Sequence, residues 1–254
     1  MEASRKRSMR IELRWILLSG RLILAIGTAG LGVIELAGGD FIGRWEPVLA
    51  SVPHQLAWLS GFVLIACGSG LIARQTVRAS ALALALFLLF WIAALHGPLV
   101  MAAPLDFRLW LYLGEVLAIA CGALTLWAIP GNGGVATATR LGFGFSLLTF
   151  GASHFAHLKL IASGVPGYVP APMVVAGFTG GAHLAAGMAL LSNVLTRFAA
   201  VLEAAMVSVF VLLFDVPEVI SSPTHRGAWI TLMAEGALVG AAWIVASRTE
   251  DGEV

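Results

Sequence analysis

Residues 79–100 read ASALALALFLLFWIAALHGPLV, and residues 198–219 read FAAVLEAAMVSVFVLLFDVPEV. Each run is long enough to cross a hydrocarbon core as a helix, for which about twenty apolar residues suffice. Each follows an arginine, Arg78 or Arg197, and each carries a proline at the same place, Pro98 or Pro217. Two residues before that proline stands an ionisable side chain, His96 in the first run and Asp215 in the second. Two membrane spans built on one pattern imply that the chain contains that pattern twice.

The match extends in both directions. With the same offset, residues 21–128 align with 140–247 without a gap. Arg21 meets Arg140, Gly32 meets Gly151, Gly61 meets Gly180, Gly68 meets Gly187 and Trp110 meets Trp229. Pro47, Pro53 and Pro98 fall on Pro166, Pro172 and Pro217. Proline supplies only 10 of 254 residues, so these coincidences carry more weight than matches at Gly or Ala.

Composition agrees with residence in a bilayer. Of the residues 59% are apolar and 11% charged, with a mean hydropathy of +0.92. A soluble domain carries about a quarter charged residues. The net charge of +1 provides no basic patch for nucleic acid, which excludes that partner class. Spans are expected near 16–36, 55–73, 79–100, 108–129, 140–157, 173–191, 197–214 and 228–246. The expected fold is therefore an all-α membrane protein of about eight transmembrane helices in two four-helix repeats. A basic tail covers 1–15, the first repeat 16–129, a linker 130–139, the second repeat 140–247 and a short tail 248–254. The first span has an apolar stretch longer than that of a signal peptide and a counterpart later in the chain, so it reads as a retained helix.

Basic residues orient the bundle. With the N-terminus cytoplasmic, 11 of the 15 Lys and Arg residues fall inside, and only Arg44, Arg108, Lys159 and Arg226 fall outside. Both repeats then begin and end on the cytoplasmic side of an inner membrane. That makes them parallel copies related by a pseudo-twofold axis along the membrane normal.

Ionisable groups within a membrane are costly, so each is a functional candidate. All six histidines and most mid-chain carboxylates map to the outer half. Glu35 and His154 are equivalent at the outer ends of helices 1 and 5, as are His96 and Asp215 in helices 3 and 7. Glu115 and Glu235 sit one residue out of register in helices 4 and 8, and His183 lies deeper in helix 6. The expected site is an outer-facing cavity lined by Glu115, Glu235 and His183, with Glu35, His96, His154 and Asp215 at its rim. Such groups share protons, bind a cation or hydrogen-bond a quinone-like carbonyl. The alternative is that residues at helix ends snorkel to water. The inner half holds only Glu203.

Other chemistry is poorly supported. His154 and His157 share a helix face but lack a third ligand nearby, and no GxSxG, Walker A, HExxH or CxxCH occurs. Cys67 and Cys121 form no CxxC and read as small packing residues.

At Gly151-Ala152-Ser153-His154-Phe155, following Arg140-Leu141 and Gly144, the chain resembles the DoxX-like membrane proteins. Gly180-Gly181-Ala182-His183 and Gly187 fit the next helix of that family's four-helix unit, and the first half looks like a diverged second copy. The resemblance implies an inner-membrane protein, a subunit or accessory of an oxidoreductase system, with a quinone or lipid-like ligand and a redox protein partner. Proton-coupled transport of a small solute, or a structural or assembly role, are the alternatives.

The eight-span topology places both Asn132 and the C-terminus in the cytoplasm. Reporter fusions at these two points should show cytoplasmic activity only, and periplasmic activity at either would eliminate it.

Overall fold

The computed structural model describes residues 2–42, 53–128 and 132–249, with the side chains of residues 2–12 and His54 outside that description. The loop from Arg44 to Pro47, the linker residues Pro130 and Gly131 and the tail beyond Thr249 also lie outside it. The described chain is all helix and turn, without a strand. In order come α1 (Glu2–Gly38), α2 (His54–Ile72), α3 (Val77–Trp91), α4 (Gly97–Ala102), α5 (Phe107–Trp127) and α6 (Gly133–Ala156). They are followed by α7 (Leu158–Ser163), α8 (Pro172–Ser192), α9 (Thr196–Phe210), α10 (Val216–Ser221) and α11 (Arg226–Arg248).

Seven helices are long and apolar enough to cross a membrane: Leu13–Gly38, Gln55–Ile72, Val77–Ala102, Phe107–Trp127, Pro172–Ser192, Thr196–Ser221 and Arg226–Arg248. Helix α6 is as long, at 24 residues, but is not apolar enough to belong to that set.

Three boundaries differ from the sequence reading. Helix α1 is continuous from Glu2, so the basic segment 1–15 extends the first span. Helix α6 begins at Gly133, inside the expected linker, because the Asn132 side chain accepts the Val135 N–H at 3.3 Å and caps it. The seventh span continues to Ser221 instead of ending at 214.

That last difference has a local cause. Proline cannot donate to the carbonyl four residues back and its ring crowds it, so a straight α-helix would break at Pro98 and Pro217. Here the turn before each proline widens into a π-helix, at Ile92–His96 and Val211–Asp215. The Gly97 N–H then reaches the Ile92 carbonyl, and the Val216 N–H reaches that of Val211, five residues back. Pro217 offers nothing to Leu213, and the Tyr168 hydroxyl donates to that carbonyl instead.

Corresponding contacts recur between helices 119 positions apart. Helix α1 packs on α2 and α11, whereas α6 packs on α8 and α5; α3 leans on α5 as α9 leans on α11. Helices α5 and α11 meet in the middle. The Trp110 indole donates to the Pro104 carbonyl and the Trp229 indole to that of Pro223, each at 2.9 Å. These two prolines form a fourth pair in the same register. Asp106 caps α5 through the Arg108 N–H at 3.0 Å, and the Arg108 guanidinium holds its carboxyl below the usual carboxylate range.

In lipid, helices associate through close packing instead of the hydrophobic effect, which favours small residues at their contacts. The α1–α11 seam is the closest case. A Cβ on Gly240 would lie 2.3 Å from the Leu24 nitrogen and 2.6 Å from the Gly20 carbonyl oxygen, both backbone atoms that cannot step aside. A Cβ on Gly236, one turn away, would meet nothing within 4 Å. Gly240→Val should therefore destabilise the bundle by about 3 kcal/mol, lowering the unfolding temperature in detergent, while Gly236→Ala leaves it unchanged. Equal behaviour of the two variants would show that the seam is not closely packed.

Candidate functional site

The two central helices each carry an acid. In α5 and α11, 61% of the span is buried, against at most 39% in any other span. Glu115 and Glu235 stand on these two helices, so neither faces lipid as a snorkelling residue at a helix end would. Between α5, α6, α8, α11 and the α9–π-turn segment lies a cavity of about 250 Å³. Glu115, His154, His183, Asp215 and Glu235 all line it, with Thr179 and Thr231 as further polar groups. Leu111, Phe150, Ile161, Val207, Phe210, Val211, Phe214 and Leu238 form its apolar walls.

Each side chain is brought there by a local feature. Asp215 and Phe214 belong to the π-turn forced by Pro217, whose extra residue re-aims the side chains that follow the regular helix. The Phe214 ring stacks on that of Phe210, with centroids 5.4 Å apart and planes 12° from parallel. His154 sits at the last turn of α6, against Gly180 of α8. A Cβ on Gly180 would come within 2.7 Å of the His154 Cβ, so the glycine makes room for the histidine. Glu115 comes from the first half of the chain, because α5 packs on α6 and α11.

The two imidazoles are adjacent, their ring centroids 5.1 Å apart and their planes at 60°. His154 Nδ1 lies 2.9 Å from the Phe150 carbonyl oxygen. A carbonyl only accepts, so this nitrogen carries the hydrogen and Nε2 is left with its lone pair in the neutral ring. His183 Nδ1 lies 2.8 Å from Glu203 Oε1, a close but oblique approach, and both side chains are almost fully enclosed. Among the described residues neither Glu203 oxygen nor His183 Nδ1 makes a hydrogen bond of good geometry, so the pair is held by proximity alone.

The remaining candidates sit elsewhere. Glu35 is buried at the end of α1, where its Oε1 accepts the Ile42 N–H at 3.1 Å and secures the turn that Gly39 makes with φ +66°. His96 is buried in the first π-turn. Neither lines the cavity. His157 ends α6, and among the described residues no three His, Cys, Asp or Glu side chains gather closely enough to hold a metal ion.

Glu203 was missed as a site residue, although its depth was readable. It lies seven residues from the start of α9, and His183 nine from the end of α8, the two ends joined by the turn at Asn193. At 1.5 Å per residue the two stand at nearly one level, roughly 11 and 14 Å from that turn. A lone acid at that depth requires a partner, and the neighbouring helix offers an imidazole at the same height.

Compared with known proteins, the chain matches no family model, no curated protein and no solved structure.

Proposed function

We propose that this chain is an eight-span inner-membrane protein of two parallel four-helix repeats, with both termini cytoplasmic. Its cavity takes the head group of a quinone-type ligand, and the protein serves as a membrane subunit or accessory of an oxidoreductase system, in contact with a redox protein partner. The repeat reading is supported by the recurring π-turns, the two Trp–Pro hydrogen bonds and the reciprocal packing of α1 on α11 and α6 on α5. Under that reading α6 is the remaining span, despite its polar content. The resemblance to DoxX-like proteins points the same way.

One observation carries the ligand reading: an apolar, aromatic-walled cavity on which two imidazoles and three carboxyl groups converge. A quinone head is flat and apolar with a polar oxygen at each end, and gains or loses protons as its redox state changes. Phe210 and Phe214 offer ring faces to its plane. The imidazoles and carboxyls offer hydrogen bonds and proton exchange at its oxygens. Electrons come from the protein partner, and the cavity residues hold, orient and exchange protons. Ligand pockets of this kind are mostly apolar with a few convergent polar groups.

Proton-coupled transport of a small solute is the second reading, favoured by the His183–Glu203 contact on the enclosed side of the cavity. The two readings separate in reconstituted protein. Menadione, a tail-free naphthoquinone, should bind the purified chain, and Phe210→Ala should weaken it about tenfold. Phe90→Ala, on an exposed ring outside the cavity, should leave binding unchanged. Absence of menadione binding, together with a proton-driven solute flux in proteoliposomes that Glu115→Gln and Glu235→Gln abolish, would replace the first reading by the second.

A further inference from the structure

The His183–Glu203 contact poses an energetic question of its own. Both side chains are about as enclosed as any in the molecule, with His183 at 5% and Glu203 at 2% exposure. Removing such groups from water costs several kcal/mol each, and an apolar pair of similar volume is often as stable or more so. The chain contains that apolar pair. The positions 119 residues earlier are Leu64 and Leu84, at 1% and 0% exposure, on α2 and α3, which pack on each other as α8 and α9 do. The same helix contact is therefore built with two leucines in one half and with an imidazole and a carboxylate in the other. Packing does not require the polar pair, so its retention calls for a chemical use.

The geometry points to that use: we infer that Glu203 and His183 form a carboxylate–imidazole base facing the cavity, whose substrate is a weakly acidic ring hydroxyl such as that of a quinol. A carboxylate 2.8 Å from Nδ1 draws the hydrogen of His183 to that nitrogen, which leaves the Nε2 lone pair as the proton acceptor. When the ligand's O–H bond breaks, its proton forms an N–H bond at Nε2 and the electron pair stays on the ligand oxygen. The positive charge on the ring then lies 2.8 Å from the Glu203 carboxylate. His154, with Nδ1 committed to the Phe150 carbonyl, presents a second Nε2 acceptor to the same cavity. A quinol has two hydroxyls, and two imidazoles of matching tautomer stand beside it. The other ionisable groups that line the same cavity are Glu115 from α5, Asp215 from the π-turn and Glu235 from α11. Glu203 acts through His183 and is a positioning residue.

This assignment rests on the quinone-type reading for its ligand and on the pair's geometry for its chemistry, and the two are tested separately. Nitrogen-15 NMR of histidine side chains in the full-length protein should show His183 as the Nδ1–H tautomer, and Glu203→Gln should shift that signal. An Nε2–H tautomer at His183 would overturn the base. Under anaerobic conditions the wild type should bind menadiol about tenfold more tightly than its dimethyl ether, the worth of one hydrogen bond to a strong acceptor. In the double variant His183→Leu, Glu203→Leu, which copies Leu64 and Leu84, that preference should fall to about threefold or less. An undiminished preference would overturn the inference. The expected tautomer in a protein that binds neither compound would leave the base standing and remove the quinone reading.

Discussion

The approach of Gly20 to Gly240 governs the rest of the architecture. With no side chain on either residue, the backbones of the first and last helices come into direct contact, and the chain's two ends are drawn together. Near the other end of the same helices, Arg226 grips Asp40 through two hydrogen bonds of 2.5 and 3.1 Å, an exposed pair worth under about 1 kcal/mol. The glycine seam is the stronger constraint, because no rotamer change relieves a clash with backbone. Once α1 lies on α11, and α6 on α5, the helices α5 and α11 meet in the middle. Acids on those helices are then enclosed by protein instead of lipid, and so can be tolerated at a depth where a lipid-facing carboxylate would be expelled or neutralised.

Proline shapes the site through the helix it interrupts. A straight α9 would carry Phe214 and Asp215 on around the regular helical pitch. The π-turn inserts one extra residue, close to a hundred degrees of rotation at 3.6 residues per turn, and Asp215 and the Phe214 ring reach the cavity wall. The Leu213 carbonyl freed by Pro217 is taken by Tyr168, which lies in the connection between α7 and α8. One residue type thus sets a cavity-lining acid, an aromatic wall and the position of a loop.

Much of this was legible beforehand. Run length marked the seven helices long and apolar enough to span, and the pairing of Pro98 with Pro217 marked a recurring position without showing that the helix would widen there. The chemical clustering was only partly legible, because depth can be counted along a helix whereas rotational phase depends on its neighbours. Equivalence placed Glu35 beside His154 and His96 beside Asp215. Only the second of each pair lines the cavity, since Glu35 is turned into the backbone at Ile42 and His96 is buried in its own π-turn. The seventh span was expected to end at 214, one residue before Asp215, whereas the π-turn carries the helix through Pro217 to Ser221. Glu203 was passed over because an isolated acid draws attention only when a partner at its own level is sought.

Positions 119 residues apart on packed helix pairs are filled in two ways. Leu64 and Leu84 are buried on α2 and α3, which pack on each other. His183 and Glu203 meet between α8 and α9, and His183 lines the cavity walled by phenylalanine rings. Apolar side chains gain dispersion and need no hydrogen bond, whereas a buried polar pair forgoes some of that gain. Glu115 on α5 reaches the same cavity as His154 on α6 and His183 on α8, so a residue from the first half of the sequence supplies an acid to a wall built mainly by the second.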